Sequence, residues 1–308
     1  MAIPRLAIYT ANHTTNSLKC YSSKYFQRIK DAGFRGIQAP LSHLSQKKDL
    51  QMNLRTELQQ QDLKLIVDIQ LKSIDNFNLQ LDQISSLGNI VTHINCKPCF
   101  EQHEISKKSL SKENIEFYSD VLSTSAQFLE EHSYIGKYGR ETDIMGNSPH
   151  HLTGISHDIL QPGIFGTPSL TRDMLEVLPP FRLTASIWEW YRDCMYWGHD
   201  GVVCDGEDTE EVLEVEIVPH LDHIHVLYGN DLKEECKVAQ RELWSKVWSR
   251  KATRNVEEVS ITPYILGGDI CREDADDGVL WNEMLKAKKE IENSYELWRN
   301  GYDCTIDE

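Results

Sequence analysis

Eight short β-like runs alternate with amphipathic helical stretches along this chain, and that alternation constrains the fold more than any other feature. The runs are RLAIYT from Arg5, GIQAPL from Gly36, KLIVDIQ from Lys64, IVTHINC from Ile90, GISHDIL from Gly154, LTASIWEW from Leu183, LDHIHVL from Leu221 and VSITPY from Val259. Helix-like segments lie near residues 20–32, 49–61, 74–87, 111–131, 168–178, 206–215, 235–250 and 281–298. Several of the runs are nearly continuous in Ile, Leu and Val, as strands of a parallel sheet covered by helices must be. Eight βα units in 308 residues match the size of a closed (β/α)8 TIM barrel. A doubly wound sheet is the structural alternative. It asks for a glycine-rich phosphate turn after the first strand, and Tyr9-Thr10-Ala11-Asn12-His13 contains no glycine. No Pro/Gly/Ser-rich linker interrupts the pattern, so one domain over residues 1–308 is expected, with IGKYGRETDIMGNSP (residues 135–149) as a surface insertion.

Charge narrows the partners. The formal net charge is -16, from 32 basic and 48 acidic residues. Residues 1–150 hold 17 basic and 16 acidic side chains, so the remainder, with 15 against 32, carries the excess. A field of that sign repels phosphate backbones and anionic headgroups, so neither nucleic acid nor a membrane surface is an expected partner. A small-molecule substrate is. The opening MAIPRLAIYT has no basic region followed by a long apolar run, and no stretch approaches the roughly 18 to 20 apolar residues of a membrane span. The expected location is the cytoplasm, and the eight scattered cysteines read as reduced thiols. Cys96-Lys97-Pro98-Cys99 is a C-x-x-C, but it lacks the second pair of a structural zinc site and the helix-opening context of a redox motif.

In a (β/α)8 barrel the chemistry sits at the C-terminal ends of the strands. That rule selects Asp68 and Gln70 on strand 3, Asn95 and Lys97 on strand 4, His157 and Asp158 on strand 5, and Ser186 and Glu189 on strand 6. Strand 7 adds His223, His225 and Tyr228, and strand 8 adds Tyr264. Any one of these residues alone also reads as an ordinary polar group of the barrel interior. His223 and His225 are two apart on a strand and therefore face the same way, an arrangement able to bind metal or move protons. Asp158 lies among apolar neighbours, which raise a carboxyl pKa and suit general acid work near neutral pH. Trp188, Trp190, Tyr191, Tyr196 and Trp197 crowd the end of strand 6, and either line an apolar pocket mouth or pack its rim. Asp274-Ala275-Asp276-Asp277 spells the D-x-D-D of proton-initiated cyclases, a motif that needs its own helical fold and reads here as chance.

The segments ISHDIL, TPSLTRDMLEVLPPFRLTASIWEW, LDHIHVLYGN and SITPY, together with the earlier AGFRGIQAPL and HINC, resemble the xylose isomerase-like TIM barrel superfamily, in particular its sugar phosphate isomerase/epimerase-like branch. The resemblance implies a metal site at four positions, which here read Asp158, Ser186, His225 and Tyr264. A divalent ion held by carboxylates and an imidazole can bind both oxygens of a hydroxy-ketone and stabilise an enediolate. Ser and a neutral Tyr hydroxyl are poor ligands for a hard ion, so the expectation is a degenerate site and no metal cofactor; a divalent ion at Asp158 and His225 is the alternative. At Glu189 the resemblance implies a substrate-contacting histidine, so an acid stands in its place. The run His157-Asp158-Ile159-Leu160-Gln161-Pro162 departs from the H-E-T-H-R of the family, and His225-Val226-Leu227-Tyr228 from H-A-R-V, both toward apolar side chains.

Three functions compete. The first is the metal-dependent sugar (phosphate) isomerase or epimerase that the resemblance implies. The second is an isomerase or lyase of the same fold retooled for a small, rather hydrophobic metabolite. It performs metal-independent isomerisation, dehydration or cyclisation with Asp158, His225, Glu189 and Tyr264, while His157, His223, Tyr228, Trp188, Trp190, Lys97, Asn95 and Asp68 line the substrate. Loss of two ligands together with gain of apolar groups favours this reading. The third is a non-catalytic descendant that binds a ligand.

Overall fold

The computed structural model describes residues 3–11, 23–44, 48–87, 90–98, 112–132, 154–159, 168–178, 181–185, 217–229, 234–254, 258–265 and 277–306. Eight parallel strands close in sequence order into a barrel, β1 pairing with β8 to complete it. They are β1 (Arg5–Ala11), β2 (Gly36–Pro40), β3 (Lys64–Leu71), β4 (Val91–Pro98), β5 (Gly154–Ile159), β6 (Arg182–Ala185), β7 (Leu221–Tyr228) and β8 (Glu258–Ile265). The described helices are α1 (Ser23–Asp31), α2 (Leu41–Leu44), α3 (Lys48–Gln60), α4 (Ile74–Leu87), α5 (Lys112–His132), α6 (Pro168–Val177), α7 (Glu234–Thr253) and α8 (Asp277–Ile306).

The (β/α)8 barrel expected from the alternation is therefore the fold, and the doubly wound sheet is excluded by the closure. Most boundaries shift by a residue or two, and two shifts are larger or have a plain physical cause. β2 ends at Pro40, whose missing N–H cannot extend a ladder, and Leu41 opens the short α2 instead of closing the strand. The last helix starts at Asp277 and runs to Ile306, longer than the segment 281–298 read from sequence. The expected helix at 206–215 and the insertion at 135–149 lie outside the described residues, as does LTASIWEW beyond Ala185.

The outward face of the strands builds one continuous apolar shell with the helices. Leu65, Val67, Ile69, Ile94, Ile224, Val226 and Ile261 pack there with Phe26, Ile29, Leu58, Phe77, Tyr118 and Trp248. A cluster of aromatic rings joins α7 to α8. The Trp248 ring lies 5.3 Å from Tyr295 and 5.7 Å from Trp298, and the Trp298 indole N–H donates to Ser249 Oγ at 2.9 Å. Tyr295 in turn donates its hydroxyl hydrogen to the Pro4 carbonyl, which ties the last helix to the entrance of β1.

Two glycines shape the turn from α1 into β2. Gly33 adopts φ 73°. The Phe34 N–H then returns to the Ile29 carbonyl at 3.2 Å and closes the helix end. Gly36 is required for space: a Cβ there would lie 1.9 Å from the Lys64 carbonyl oxygen of the paired strand.

Candidate active site

Residues opposite one another in a parallel ladder project to the same face, so the register sorts the strands into inward and outward sets. Gln38 pairs with Ile66, Asp68 with Asn95, Gln70 with Lys97, Asn95 with Ser156, His223 with Thr184 and Ser260, and His225 with Thr262. These are the inward rows. They leave Ala7, Tyr9 and Ile66 as a small apolar cluster of their own. Above it the barrel is filled by polar side chains, with Gln38, Asn95, Ser156, Thr184, His223, His225 and Thr262 all buried.

Gln38 is the hub. Its amide nitrogen donates to Asp68 Oδ1 at 2.7 Å and lies 2.9 Å from His225 Nε2, while its carbonyl oxygen lies 3.2 Å from His223 Nε2. Asp68 also accepts from the Asn95 amide at 3.0 Å and the Lys97 ammonium at 2.9 Å. His223 is held from its other side by Ser260 Oγ at 2.8 Å from Nδ1, and Thr262 Oγ1 lies 3.0 Å from its Nε2. Toward the mouth, the Tyr264 hydroxyl lies 3.5 Å from His225 Nε2, with ring centroids 4.5 Å apart. The Lys97 ammonium lies 5.6 Å from the centroid of the Tyr264 ring.

A second polar set lies toward the barrel floor. His93 Nε2 is 2.6 Å from Ser156 Oγ, which also bonds Thr184 Oγ1. Burial disfavours the charged imidazole and pushes His93 down to about 4. His223 is driven well below the usual histidine value, first by burial and then by the neighbouring His225 and His93. Both rings are thus neutral at neutral pH.

Six residues read from sequence as site groups converge here: Asp68, Asn95, Lys97, His223, His225 and Tyr264. Tyr228 lies elsewhere. It occupies the parity of Ile224 and Val226, and its hydroxyl bonds Glu290 on α8, with burial and the Glu290 and Glu283 charges raising its pKa. Gln70 sits at the exposed end of β3, its backbone bonded to the Gln80 side chain. Asp158 falls in the register row of Thr184, and His157 in the row of Cys96 and Leu183; the side chains of both lie outside the described groups. Ser186, Trp188, Glu189, Trp190 and Cys99 lie outside the described residues, as do Asp274, Ala275 and Asp276.

The sequence reading passed over Gln38 and His93. A neutral amide in GIQAPL carries neither charge nor ligand character. Its signal was positional: a polar residue in the middle of an apolar strand has to be facing a partner.

No family model matches the chain, and no curated protein matches it in sequence. Solved structures do. A D-tagatose 3-epimerase-like protein superposes with a TM-score of 0.58 at 10% identity, covering 96% of this chain and 99% of its own. The 3-keto-D-glucoside 4-epimerase of E. coli gives a TM-score of 0.55 at 11% identity, over 92% of this chain and all of its own. A xylose isomerase domain protein from Alicyclobacillus acidocaldarius gives 0.58 at 11% identity, over 96% and 100%. Strand order, closure and these superpositions agree on one fold, a closed (β/α)8 TIM barrel like that of these solved structures.

Proposed function

We propose that the protein is an isomerase-type enzyme that moves a proton next to a carbonyl group of a small, rather hydrophobic metabolite by acid/base chemistry, with no metal in the step. The observation that carries this reading is the environment of His225 Nε2. It is met by the Gln38 amide at 2.9 Å and the Tyr264 hydroxyl at 3.5 Å, at the strand ends where barrel enzymes act.

Among the described residues, the donor set around His225 speaks against a divalent ion. The lone pair of Nε2 that would ligate it faces an amide hydrogen. Tyr264 offers a neutral phenol, and a Lys97 ammonium lies over its ring. A hard cation wants carboxylate oxygen at that place, not a neighbouring positive charge.

The residues present can carry the reaction without one. A base removes the proton from the carbon beside the carbonyl; the C–H electron pair becomes the C=C bond of an enolate, and the C=O π pair moves onto the oxygen. For epimerisation a second acid protonates the same carbon from the opposite face; for isomerisation the conjugate acid delivers the proton to another carbon of the enolate system, and in both cases the C=O bond re-forms or is retained in the product. No electrons are gained or lost overall. His225 and Tyr264 supply a paired acceptor and donor, and Asp158 and Glu189 are proposed to complete the acid/base set. Among the described residues, the Lys97 ammonium, held 2.9 Å from Asp68, is a positive group placed near the developing oxyanion. The solved neighbours that are epimerases support a reaction of this class.

The test is solvent-deuterium uptake. Protein dialysed against EDTA is incubated in heavy water with D-allulose and, separately, with a cyclic β,γ-unsaturated ketone. Metal content is measured by mass spectrometry. Deuterium uptake by the metal-free protein is expected. Uptake only after adding Mn²⁺, with Mn²⁺ affinity lost in His225→Ala, would establish the metal-dependent epimerase instead. Saturable binding of either compound without any uptake would establish a non-catalytic descendant.

A further inference from the structure

We infer that Asp68, acting through the Gln38 carboxamide, locks the two histidines of β7 into opposite tautomers: His225 carries its proton on Nδ1 and His223 carries its proton on Nε2. The constraint originates at the carboxylate. Asp68 can only accept, and it already receives Asn95 and Lys97. The Gln38 atom 2.7 Å from it must therefore be the nitrogen, because the flipped amide would set two oxygens against each other at that distance.

With the amide oriented, each histidine has one choice. The second hydrogen of the Gln38 nitrogen points at His225 Nε2, 2.9 Å away, and an incoming hydrogen demands a lone pair. A neutral imidazole with a lone pair on Nε2 has its proton on Nδ1. The Gln38 oxygen faces His223 Nε2 at 3.2 Å, and an acceptor demands an N–H. Thr262 Oγ1, at 3.0 Å, shares that hydrogen. With its hydrogen on Nε2, His223 presents a lone pair at Nδ1, and the Ser260 hydroxyl, 2.8 Å away, is the donor placed to fill it. One amide thus converts the fixed charge of a carboxylate into two defined proton positions on rings whose centroids lie 5.2 Å apart.

The inference deepens the proposed function and, for its consequence, rests on it. The Gln38 hydrogen keeps His225 Nε2 unprotonated beside the Tyr264 hydroxyl, and the lone pair can take the Tyr264 proton once that hydrogen bond is exchanged, so Gln38 is a positioning residue for the acid/base pair. The tautomers themselves are independent of any reaction.

The experiment reads them directly. Protein labelled with ¹⁵N-histidine gives long-range proton–nitrogen correlations whose patterns distinguish Nδ1–H from Nε2–H, and His225→Ala and His223→Ala assign the two rings among the 12 histidines. At a pH above 7 the wild-type protein is expected to show Nδ1–H for His225 and Nε2–H for His223. Either ring showing the other tautomer overturns the inference, with no variant needed. Gln38→Glu, which offers oxygen to both rings, is expected to put a proton on His225 Nε2 while leaving the His223 pattern in place. An unchanged His225 pattern in a folded Gln38→Glu protein also overturns it. Should that variant not fold, Asp68→Asn frees the amide to turn, and mixed tautomers are expected. Because no turnover is measured, a protein with the expected tautomers and no deuterium uptake refutes the proposed function alone.

Discussion

The two packed layers of this barrel are built on opposite principles. The shell between strands and helices is an apolar continuum, with Leu65, Val67, Phe77, Tyr118 and Trp248 almost wholly excluded from water. Among the described residues the interior holds one three-residue apolar cluster of Ala7, Tyr9 and Ile66, and above it a ladder of amides, hydroxyls and imidazoles. Barrels of this kind usually fill the interior with layers of Val, Ile and Leu. Buried polar groups stabilise little on balance and are costly when left unpaired. The difference teaches where the molecule keeps its stability and where it keeps its chemistry. Changes in the shell should unfold the protein, and changes in the upper interior should alter reactivity with the fold intact.

The largest effect is expected where the interior meets the backbone. Gly36→Ala forces a Cβ to within 1.9 Å of the Lys64 oxygen and 2.6 Å of its carbon, and backbone cannot step aside as a side chain can. We expect a loss in the exceptional range above about 4 kcal/mol, read by urea unfolding, or failure to fold. Next comes the shell. Trp248→Ala removes a fully buried indole set among Trp244, Tyr295 and Trp298, and should cost about 3 to 5 kcal/mol. If Thr262→Ala in the interior cost as much, the division of labour between the layers would collapse.

The third prediction sharpens the contrast through pH. His93 sits at about 4 when folded and near 6.5 when unfolded. Between those values the unfolded chain binds the extra proton, so stability rises with pH across that window and is level above it. The difference corresponds to about 3 kcal/mol, lost progressively as pH falls from 6.5 to 4. His223 is shifted in the same direction. His93→Gln should flatten part of the slope of ΔG against pH measured by urea titration; an unchanged slope would mean that the floor histidine is not held neutral by burial.

Legibility in the sequence follows the same division. The strands declared themselves because the shell demands runs such as KLIVDIQ, apolar enough to be buried on the helix side, and all eight starting residues named from sequence fall within one residue of the observed start, those of β1, β2, β3, β5 and β7 coinciding. The interior was legible only where residue type announced chemistry: Asp68, Lys97, the His223–His225 pair and Tyr264 all stood out at strand ends. Gln38 and His93 did not, because their roles depend on which strands face each other across the barrel. That relation is a property of closure, and a polar residue inside an apolar strand signals only that some partner faces it, not which one. Tyr228 erred the other way in position: one residue of parity on β7 turns it from the interior to Glu290.

For the site itself, the expected effect is kinetic. On whichever probe compound exchanges deuterium, His225→Ala and Asp158→Asn should lower the rate by at least about a hundredfold with melting temperature little changed. Ser186→Ala should matter much less. Near-normal exchange in both of the first two variants would remove the acid/base assignment of the upper interior and leave the polar ladder as a purely structural feature.

The smallest effect separates conformation from crowding, using two glycines three residues apart. Gly33 needs its φ of 73°, yet a Cβ there would meet only the end of the Lys288 side chain, at 3.6 Å, an ordinary contact. The left-handed backbone costs a non-glycine residue roughly 1 to 2 kcal/mol, and alanine recovers about 0.4 to 1 by restricting the unfolded chain. Gly33→Ala should therefore cost about 1 kcal/mol, well below Gly36→Ala. The same turn geometry recurs after α3, where Asp62 takes φ 52° and the Leu63 N–H returns to the Leu58 carbonyl at 2.8 Å, so the shell evidently tolerates a side chain in this conformation. Equal costs for the two alanine variants would show that the closed interior is no more crowded at Gly36 than the turn that leads into it, and that the barrel floor can yield.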